Sequence, residues 1–306
     1  MGKLIGVAIV TYNRLTLLQE CLDCVFNQSR LFDFIMVVNN CSTDGTKEYL
    51  DRIEKIKNME IIHTNENLGG AGGFELAVEN SYTKVDYLLL IDDDAMLDRE
   101  FLFNIEKNME NNILAYSGSV LTDNVIDTSH RRILNNKILM TKKDINIERY
   151  ESNSFLYDLS TFCGLLVSTK VIEKIGFPKS EYFIWYDDTE YSLRISKYTK
   201  IKNVNNAIIN HKTKNNISAD LNWKSYYGYR NFINMGKLYS KCPVAFVTYR
   251  YSYHLFRWIQ YSFKARICKD RKQYYCGCAR LNLDVVIDSF KNRLGISLKY
   301  YPGLKF

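Results

Sequence analysis

The stretch Leu88-Leu89-Leu90-Ile91-Asp92-Asp93-Asp94 joins four consecutive apolar residues to three consecutive carboxylates. The apolar run predicts a buried strand, and ligands of open α/β sheets bind just beyond the carboxyl ends of strands. Three adjacent anions repel one another and need a counter-charge, which a divalent cation shared with a nucleotide diphosphate supplies. The alternative is a solvated acidic turn that caps the next helix, because Asp98 precedes a plausible helical run.

The composition is that of an ordinary globular protein. The 306 residues, 46% hydrophobic and 25% charged, suffice for one large domain or a domain with an extension. Met1 leads directly into a strand-like run, so no signal peptide is expected. No uncharged apolar stretch of about 18 residues predicts a membrane-spanning helix. Cys21 and Cys24 lie one turn apart in a predicted amphipathic helix, where we expect packing thiols in a reducing cytoplasm.

The net charge of +7 is unevenly distributed along the chain. From Arg230 to the end, 15 Lys and Arg stand against three Asp, so this part carries +12 and the rest of the chain carries −5. A strongly basic end favours an anionic partner, either a membrane surface or a nucleic acid.

A helix is predicted within this basic end. One face is lined at helical spacing by Arg250, His254, Arg257, Tyr261 and Lys264. Another face carries mostly apolar residues, namely Val247, Tyr251, Leu255, Trp258 and Ile259. The pattern fits an interfacial helix on an anionic membrane, with residues 240–295 as the docking region. The alternative is a helix packed against the rest of the chain or against a second subunit.

Strand-like and helical patterns alternate along the first third of the chain. The predicted strands are residues 3–10, 34–38, 59–63 and 85–91. Ser42 or Thr43 is predicted to cap a helix that runs to about Lys57. Short connections between alternating elements predict an α/β fold with a doubly wound, mostly parallel sheet. The four strand ends then converge on one edge, as in nucleotide sites. Further along, residues 159–168 predict one continuous strand.

A glycine-rich stretch, residues 67–74, opens the helix after the third strand. It lacks both the dinucleotide-binding spacing G-x-G-x-x-G and the ending of a P-loop. Asn67, Gly69 and Gly70 still allow close backbone approach, and the amides of a helix N-terminus can face an anion. The alternative reason for the glycines is tight packing of the helix on the sheet.

A second acidic cluster lies in residues 183–194, where a helix is predicted to begin near Asp187. Acidic residues in a first helical turn are favoured by the helix dipole alone, so capping is an alternative to catalysis. Trp185 offers a flat surface of the kind that stacks on sugars. Residues 201–210 predict a strand that ends at His211, and such a histidine is more often structural than a ligand.

Four motifs in register resemble family 2 glycosyltransferases of the GT-A fold over residues 3–235. They are Val-Thr-Tyr-Asn-Arg at 10–14, Asn-Asn-Cys-Ser-Thr-Asp-Gly-Thr at 39–46, the Asp triplet at 92–94 and the Trp-to-Arg run at 185–194. With the glycine-rich stretch, the pattern is most similar to bacterial galactofuranosyltransferases, and rhamnosyltransferases share much of it. The resemblance implies a catalytic domain over 1–235, with a nucleotide-sugar half to about 120 and an acceptor half from about 121, and a helical region over 236–306.

The resemblance also implies an inverting, single-displacement transfer from a nucleotide sugar. Asp92, Asp94 and His211 would hold Mn²⁺ or Mg²⁺ on the donor diphosphate, with Asp93 against the ribose or the sugar. The other residues implied to line the donor are Thr11, Tyr12, Asn13, Arg14, Asn40, Asn67, Gly69 and Gly70.

For the acceptor, Asp188 matches the base that deprotonates the attacking hydroxyl, with Asp187 beside it. Trp185 would form the acceptor platform and Arg230 would touch a phosphate. The chemistry agrees, because a metal neutralises the leaving diphosphate while a carboxylate must reach the acceptor hydroxyl. Two roles need two carboxylate clusters, and the chain has two.

The resemblance further implies a sugar donor, an acceptor and a place in the cell. The expected donor is UDP-galactofuranose, with dTDP-rhamnose as the alternative, and the expected acceptor is a lipid-linked or growing cell-surface glycan. The protein is expected on the inner face of the cell membrane, and a homo-oligomer stays open. A nucleic-acid-binding protein would use the basic end but would leave both acidic clusters unexplained. A catalytically inactive scaffold predicts the loss of one cluster, and neither is lost.

Overall fold

The computed structural model describes residues 2–212 and 220–306. Its strands are β1 (Ile5–Thr11), β2 (Phe34–Asn39), β3 (Met59–His63), β4 (Tyr87–Asp92), β5 (Ala95–Leu97), β6 (Ala115–Thr122), β7 (Val125–Ile126), β8 (Arg131–Asn136), β9 (Thr141–Asp144), β10 (Ser154–Tyr157), β11 (Leu159–Ser160), β12 (Leu165–Ser168) and β13 (Ile201–His211). Its α-helices are α1 (Leu15–Phe26), α2 (Thr46–Ile53), α3 (Gly69–Ser81), α4 (Phe101–Lys107), α5 (Thr169–Ile175), α6 (Asp187–Ile195), α7 (Trp223–Tyr239), α8 (Pro243–Ile267) and α9 (Lys272–Phe290).

The described residues form two compact units. The first takes in residues 2–134, 142–180 and 188–212 and contains the large sheet. The second takes in residues 135–141, 181–187 and 220–306 and contains α7, α8 and α9. The boundary predicted near residue 235 falls inside α7, and the contacts of α7 with α8 and α9 group the whole helix with the second unit.

The large sheet has a parallel half and a mixed half. Strands β4, β1, β2 and β3 are neighbours in that order and run parallel, as short βαβ crossovers require. On the other side of β4, strand β12 runs antiparallel to both β4 and β6, and β13 pairs in parallel with β6. The prediction of an α/β fold with a mostly parallel sheet is confirmed.

Parallel pairing brings the carboxyl ends of the strands to one edge. Val10 lies beside Asp92, Thr11 beside Asn39, and Asn39 beside His63. Every residue of β1 and β2 is buried, because alternate side chains enter apolar cores on the two faces of the sheet. The polar residues at the strand ends are therefore the first side chains along these strands that can reach a ligand.

The helix after β2 differs from its prediction at both ends. It begins at Thr46, behind Gly45 at a φ of 89°, and it ends at Ile53 and not near Lys57. Asp44 makes the local turn, because its Oδ1 accepts from the Thr46 hydroxyl at 2.5 Å. The predicted caps Ser42 and Thr43 instead bind the loop after β1. The Ser42 hydroxyl accepts from the Asn13 amide at 2.9 Å, and the Thr43 amide donates to Asn13 Oδ1 at 2.7 Å.

The single strand predicted over residues 159–168 is two strands. Leu159–Ser160 pairs with β8 in a separate three-stranded sheet, and Leu165–Ser168 pairs with β4 and β6 in the large sheet. The chain changes sheets through Gly164, whose φ of 85° suits glycine and few other residues. An apolar run cannot reveal such a change of sheet, because both pieces are buried.

The second unit packs α7, α8 and α9 around an aromatic core. Its buried members are Phe183, Tyr226, Tyr227, Ile233, Leu281, Val285 and Tyr300. Among residues 2–212 and 220–306, no helix is both long enough and apolar enough to cross a membrane.

Candidate active site

Arg14 and Thr11, at the end of β1, hold the acidic run at the end of β4. The Thr11 hydroxyl donates to Asp93 Oδ2 at 2.7 Å. Arg14 Nη1 lies 3.1 Å from Asp93 Oδ1 and 2.7 Å from Asp94 Oδ2. Both carboxylates are buried, whereas the arginine side chain is about half exposed. Arg14 thus reaches from the surface onto two buried anions.

The electrostatics of the triplet favour additional positive charge. Burial, together with the charges of Asp94 and Asp93, raises the pKa of Asp92 to about 7. Burial raises the pKa of Asp93 to about 6, although the Arg14 charge and the Thr11 hydrogen bond lower it. Burial and like-charge repulsion both disfavour the ionised forms. A cation at this strand end would relieve that repulsion.

His211, at the end of β13, joins the triplet from across the sheet. Its register partner is Ala95, and its Nε2 lies 3.3 Å from Asp94 Oδ1. Burial lowers the pKa of His211, but the hydrogen bond to Asp94 outweighs this effect and leaves the pKa raised. The structure therefore brings two predicted metal ligands, Asp94 and His211, into direct contact.

A second histidine, which the sequence pattern did not single out, supports the first. The ring of His130 meets the His211 ring edge-on, with centroids 4.9 Å apart. His130 Nδ1 lies 2.8 Å from the Thr161 hydroxyl, and its Nε2 lies 3.5 Å from Asp127 Oδ2. This contact holds the pKa of Asp127 well below its usual range. The contacts of His130 with Thr161 and Asp127 fix the ring against which His211 packs.

The side chains gathered here suit a divalent cation, since carboxylate oxygens and an imidazole are ligands that Mn²⁺ accepts. In the part of the chain that the structure describes, no three His, Cys, Asp or Glu side chains are arranged to hold a metal ion. Asp94 Oδ2 contacts the Arg14 guanidinium. The residues for a metal site are therefore present, and one of them, Asp94, is paired with Arg14.

Asn40, Asn67 and Gly69 are joined in one loop at the ends of β2 and β3. Asn40 Nδ2 donates to Asn67 Oδ1 at 3.1 Å and to the Gly69 carbonyl at 3.0 Å, and Asn40 Oδ1 accepts from the Leu68 amide. Asn40 is buried. Its contacts shape the glycine-rich loop, and its predicted role as a nucleotide ligand stays a prediction.

The glycines of α3 divide into two kinds. A Cβ on Gly73 would lie 2.5 Å from Val10 Cγ1, and one on Gly72 would lie 2.7 Å from Leu68 Cβ. A Cβ on Gly70 would meet nothing within 4 Å. Tight helix–sheet packing therefore explains Gly73, the close contact with Leu68 at the start of the helix explains Gly72, and Gly70 has open space in front of it. Tyr12, at the end of β1, is also exposed.

Asp188 lies in the first turn of α6. Its Oδ1 accepts from the Thr189 amide at 2.5 Å and from the Thr189 hydroxyl at 3.0 Å. Lys142 of β9 donates to the same hydroxyl at 3.3 Å. Burial lowers the pKa of Lys142 to about 8, although the charge of Asp188 raises it. Lys142 was not among the residues that the sequence pattern singled out.

In the second unit, the turn before α6 has a strained backbone. Phe183, Trp185 and Tyr186 have φ values of 62°, 66° and 70°, a region that costs non-glycine residues of the order of 1–3 kcal/mol each. Asn231 Nδ2 holds the turn by donating to the carbonyls of Tyr182, Ile184 and Trp185 at 2.9–3.0 Å.

Arg230 also holds the turn before α6. It is buried and donates to the carbonyls of Glu181 at 3.2 Å and Gly295 at 2.6 Å. Its guanidinium also lies over the rings of Tyr226 and Tyr227. These contacts give Arg230 a supporting position under the turn, and the predicted phosphate contact stays a prediction.

Gly228 seats the ring of Trp185 on α7, since a Cβ there would lie 2.5 Å from Trp185 Cε3. The resemblance implies that Trp185 forms the acceptor platform, so we expect Gly228→Ala to displace this ring, to change the tryptophan fluorescence and to lower transfer about 10- to 100-fold. Alanine otherwise favours a helix interior, so the loss would come from the ring. In a Trp185→Ala background the same change should cost nothing further. An equal loss in both backgrounds would contradict this role.

Comparison with known proteins gives the family and the class of this fold. Residues 6–169 match the family described as Glycosyl transferase family 2. The solved mannosyltransferase PcManGT from Pyrobaculum calidifontis, in complex with GDP-Man and Mn²⁺, superposes with a TM-score of 0.58 at 14% identity, over 95% of this chain and 74% of that one. This likeness confirms the predicted GT-A fold.

The family match covers more than half of the chain, so the protein belongs to glycosyltransferase family 2. The dTDP-rhamnosyl transferase RfbF of Shigella flexneri is 28% identical over 201 residues, 65% of each protein. The galactofuranosyltransferase GlfT1 of Mycolicibacterium smegmatis is 26% identical over 200 residues, 63% of this chain and 65% of that protein. The chain thus matches 65% of the length of either relative. The family match ends before Asp188 and His211.

Proposed function

We propose that the protein transfers a sugar from a nucleotide-sugar donor to a glycan hydroxyl, by single displacement with inversion. The observation that carries this proposal is the acidic strand end, where Arg14 and His211 contact the buried Asp93 and Asp94. A divalent ion, Mn²⁺ or Mg²⁺, held there by Asp92, Asp94 and His211 would neutralise the charge of the leaving diphosphate.

The other residues proposed to bind the nucleotide sugar hold it in position. Thr11 and Arg14 fix the Asp93 carboxylate, which is proposed to face the ribose or the sugar. Asn40 and Asn67 hold the loop that ends in the open Gly70, so a donor phosphate can closely approach the backbone amides at the start of α3. The further residues proposed to line the nucleotide are Tyr12, Asn13 and Gly69.

Asp188 is proposed as the base that takes the proton of the acceptor hydroxyl, with Asp187 beside it in the first turn of α6. The hydrogen bonds from Thr189 orient one carboxylate oxygen and leave the second for the acceptor. Trp185, in the turn that Asn231 and Arg230 hold, is proposed as the acceptor platform. The acceptor is proposed to be a lipid-linked or growing cell-surface glycan, met by the protein on the inner face of the cell membrane.

The donor is proposed to be UDP-galactofuranose. The glycine-rich stretch with both acidic clusters supports it, and so does the similarity to the galactofuranosyltransferase GlfT1. A second candidate is dTDP-rhamnose, which the similarity to the dTDP-rhamnosyl transferase RfbF favours.

The donor proposal is tested by calorimetry with UDP, dTDP, GDP and CDP, each with and without Mn²⁺. Metal-dependent binding of UDP alone would support UDP-galactofuranose or another UDP-sugar, and binding of dTDP alone would favour rhamnose. We expect His211→Ala to raise the Mn²⁺ concentration needed for UDP binding at least about tenfold. Unchanged metal dependence would remove His211 from the ligands, and no response to any nucleotide would refute the donor site.

A further inference from the structure

Helix α8 presents a long apolar stripe to solvent. Its 25 residues extend about 37 Å. Phe256, Ile259, Phe263 and Ile267 recur at spacings of three and four residues along it, and each is more than half exposed. Tyr249 continues the stripe toward the N-terminus of the helix. Soluble monomers rarely expose contiguous apolar patches of this kind, so the stripe marks an interaction surface.

The face predicted to be basic is turned inward. His254 is fully buried, and its Nδ1 lies 2.8 Å from Asn282 Oδ1 of α9. Tyr261 is buried and stacks on Tyr275 of α9, with ring centroids 6.1 Å apart. The predicted alternative of a packed helix therefore applies to this face. The packing of α8 on α9 is complete without the stripe.

A basic groove runs beside the stripe, between α8 and α9. It has a volume of about 880 Å³ and a partly apolar floor that includes Trp258 and Leu283. Arg266, Lys269, Lys272 and Arg280 line it, and no acidic residue does. Ser262 and Arg266 of the groove lie three residues after Ile259 and Phe263 of the stripe, so they are their neighbours on the helix surface. The groove and the stripe are therefore one continuous amphipathic surface.

We propose that this surface docks on an anionic lipid bilayer, with lipid phosphates in the basic groove and the stripe among the acyl chains. The charges select this occupant, because α8 contains no Asp or Glu, and a bilayer rich in anionic lipid complements such a surface. A second copy of the chain, docked through the same face, would bring like charges together. The docking deepens the proposed function, since it brings the enzyme to a lipid-linked acceptor.

The test is sedimentation of the full-length protein with vesicles. We expect binding to vesicles of phosphatidylcholine and phosphatidylglycerol in equal parts at low salt, weakening at high salt, and little binding to phosphatidylcholine alone. Lys269→Glu, Lys272→Glu and Arg280→Glu together should weaken binding at least about 100-fold, because each basic residue near such a surface contributes about 1 kcal/mol. Phe256→Ser with Phe263→Ser should weaken it at least about tenfold.

A matched control reverses three exposed lysines of the first unit, by Lys55→Glu, Lys57→Glu and Lys107→Glu, and should retain most of the binding. UDP binding measured by calorimetry should stay unchanged in every variant, which separates a failure of docking from a failure of the donor site. The proposal is overturned by no binding to anionic vesicles, by equal binding to neutral ones, or by an equal loss in the control. A dimer in solution that the two serine changes dissociate would also overturn it.

Discussion

Asp188→Asn is expected to lower the turnover of glycosyl transfer about 100- to 10,000-fold. Asparagine has nearly the same shape as aspartate, and its Oδ1 can still accept the hydrogen bonds that Thr189 donates. The amide cannot take a proton from the acceptor hydroxyl, so the loss should fall on turnover. Transfer rates measured with UDP-galactofuranose and dTDP-rhamnose, beside calorimetry with UDP and Mn²⁺, give both quantities.

The matched control for this change is Asp123→Asn, at an exposed residue with a φ of 50°, which asparagine accepts readily. It should leave transfer unchanged. If Asp188→Asn abolished the binding of UDP and metal together with transfer, Asp188 would be a structural acid and not the base. Full activity of the variant would equally refute the assignment.

Arg131→Met is expected to lower the free energy of unfolding by about 3–5 kcal/mol. Arg131 is fully buried, and its guanidinium donates to the carbonyls of Gly118, Cys163 and His130 at 2.8–3.1 Å. It also donates to Asn203 Oδ1 at 3.2 Å. Methionine fills a similar volume but leaves these buried acceptors without their donors. Urea denaturation followed by circular dichroism measures the loss.

Arg132→Met is the control, since it removes the neighbouring arginine and its surface ion pair with Asp144, at 3.1 Å. Such pairs contribute about 1 kcal/mol or less. A loss of stability as large as that of Arg131→Met would mean that the effect comes from β8 itself and not from the buried hydrogen bonds.

Much of the first unit could be predicted from the sequence, because its strands are continuous apolar runs and its helices follow in strict alternation. The run 88–91 is a buried strand, and the triplet after it lies at the strand end. Parallel strands with short crossovers have few possible arrangements, so the convergence of Thr11, Asn39 and Asp92 on one edge followed from pattern alone.

The partners of the predicted residues could not be read from the sequence. His130 and Lys142 lie in a polar stretch with little periodicity, and only the tertiary fold brings them beside His211 and Thr189. Arg131 is a charged residue that is completely buried, which its neighbours in sequence give no reason to expect.

Backbone strain was equally hidden in the sequence. Trp185 and Tyr186 are bulky residues at positive φ, a conformation that propensity argues against. It is held by Asn231, far along the chain, whose Nδ2 donates to three carbonyls of the turn. The direction in which α8 faces is another such case, since helical spacing gives two candidate faces and only packing chooses between them.

The position of β13 sets the order in which the acidic strand end is assembled during synthesis. Strands β1 to β4 are complete by Asp92, whereas His211 reaches Asp94 from β13, which pairs with β6, β10 and β5. These pairings join distant parts of the chain and therefore form slowly. A nascent chain would lack His211 beside the acidic triplet until late, so a nucleotide and metal bound there as proposed would stabilise only the finished sheet. Hydrogen exchange in β13 should accordingly slow when both are bound.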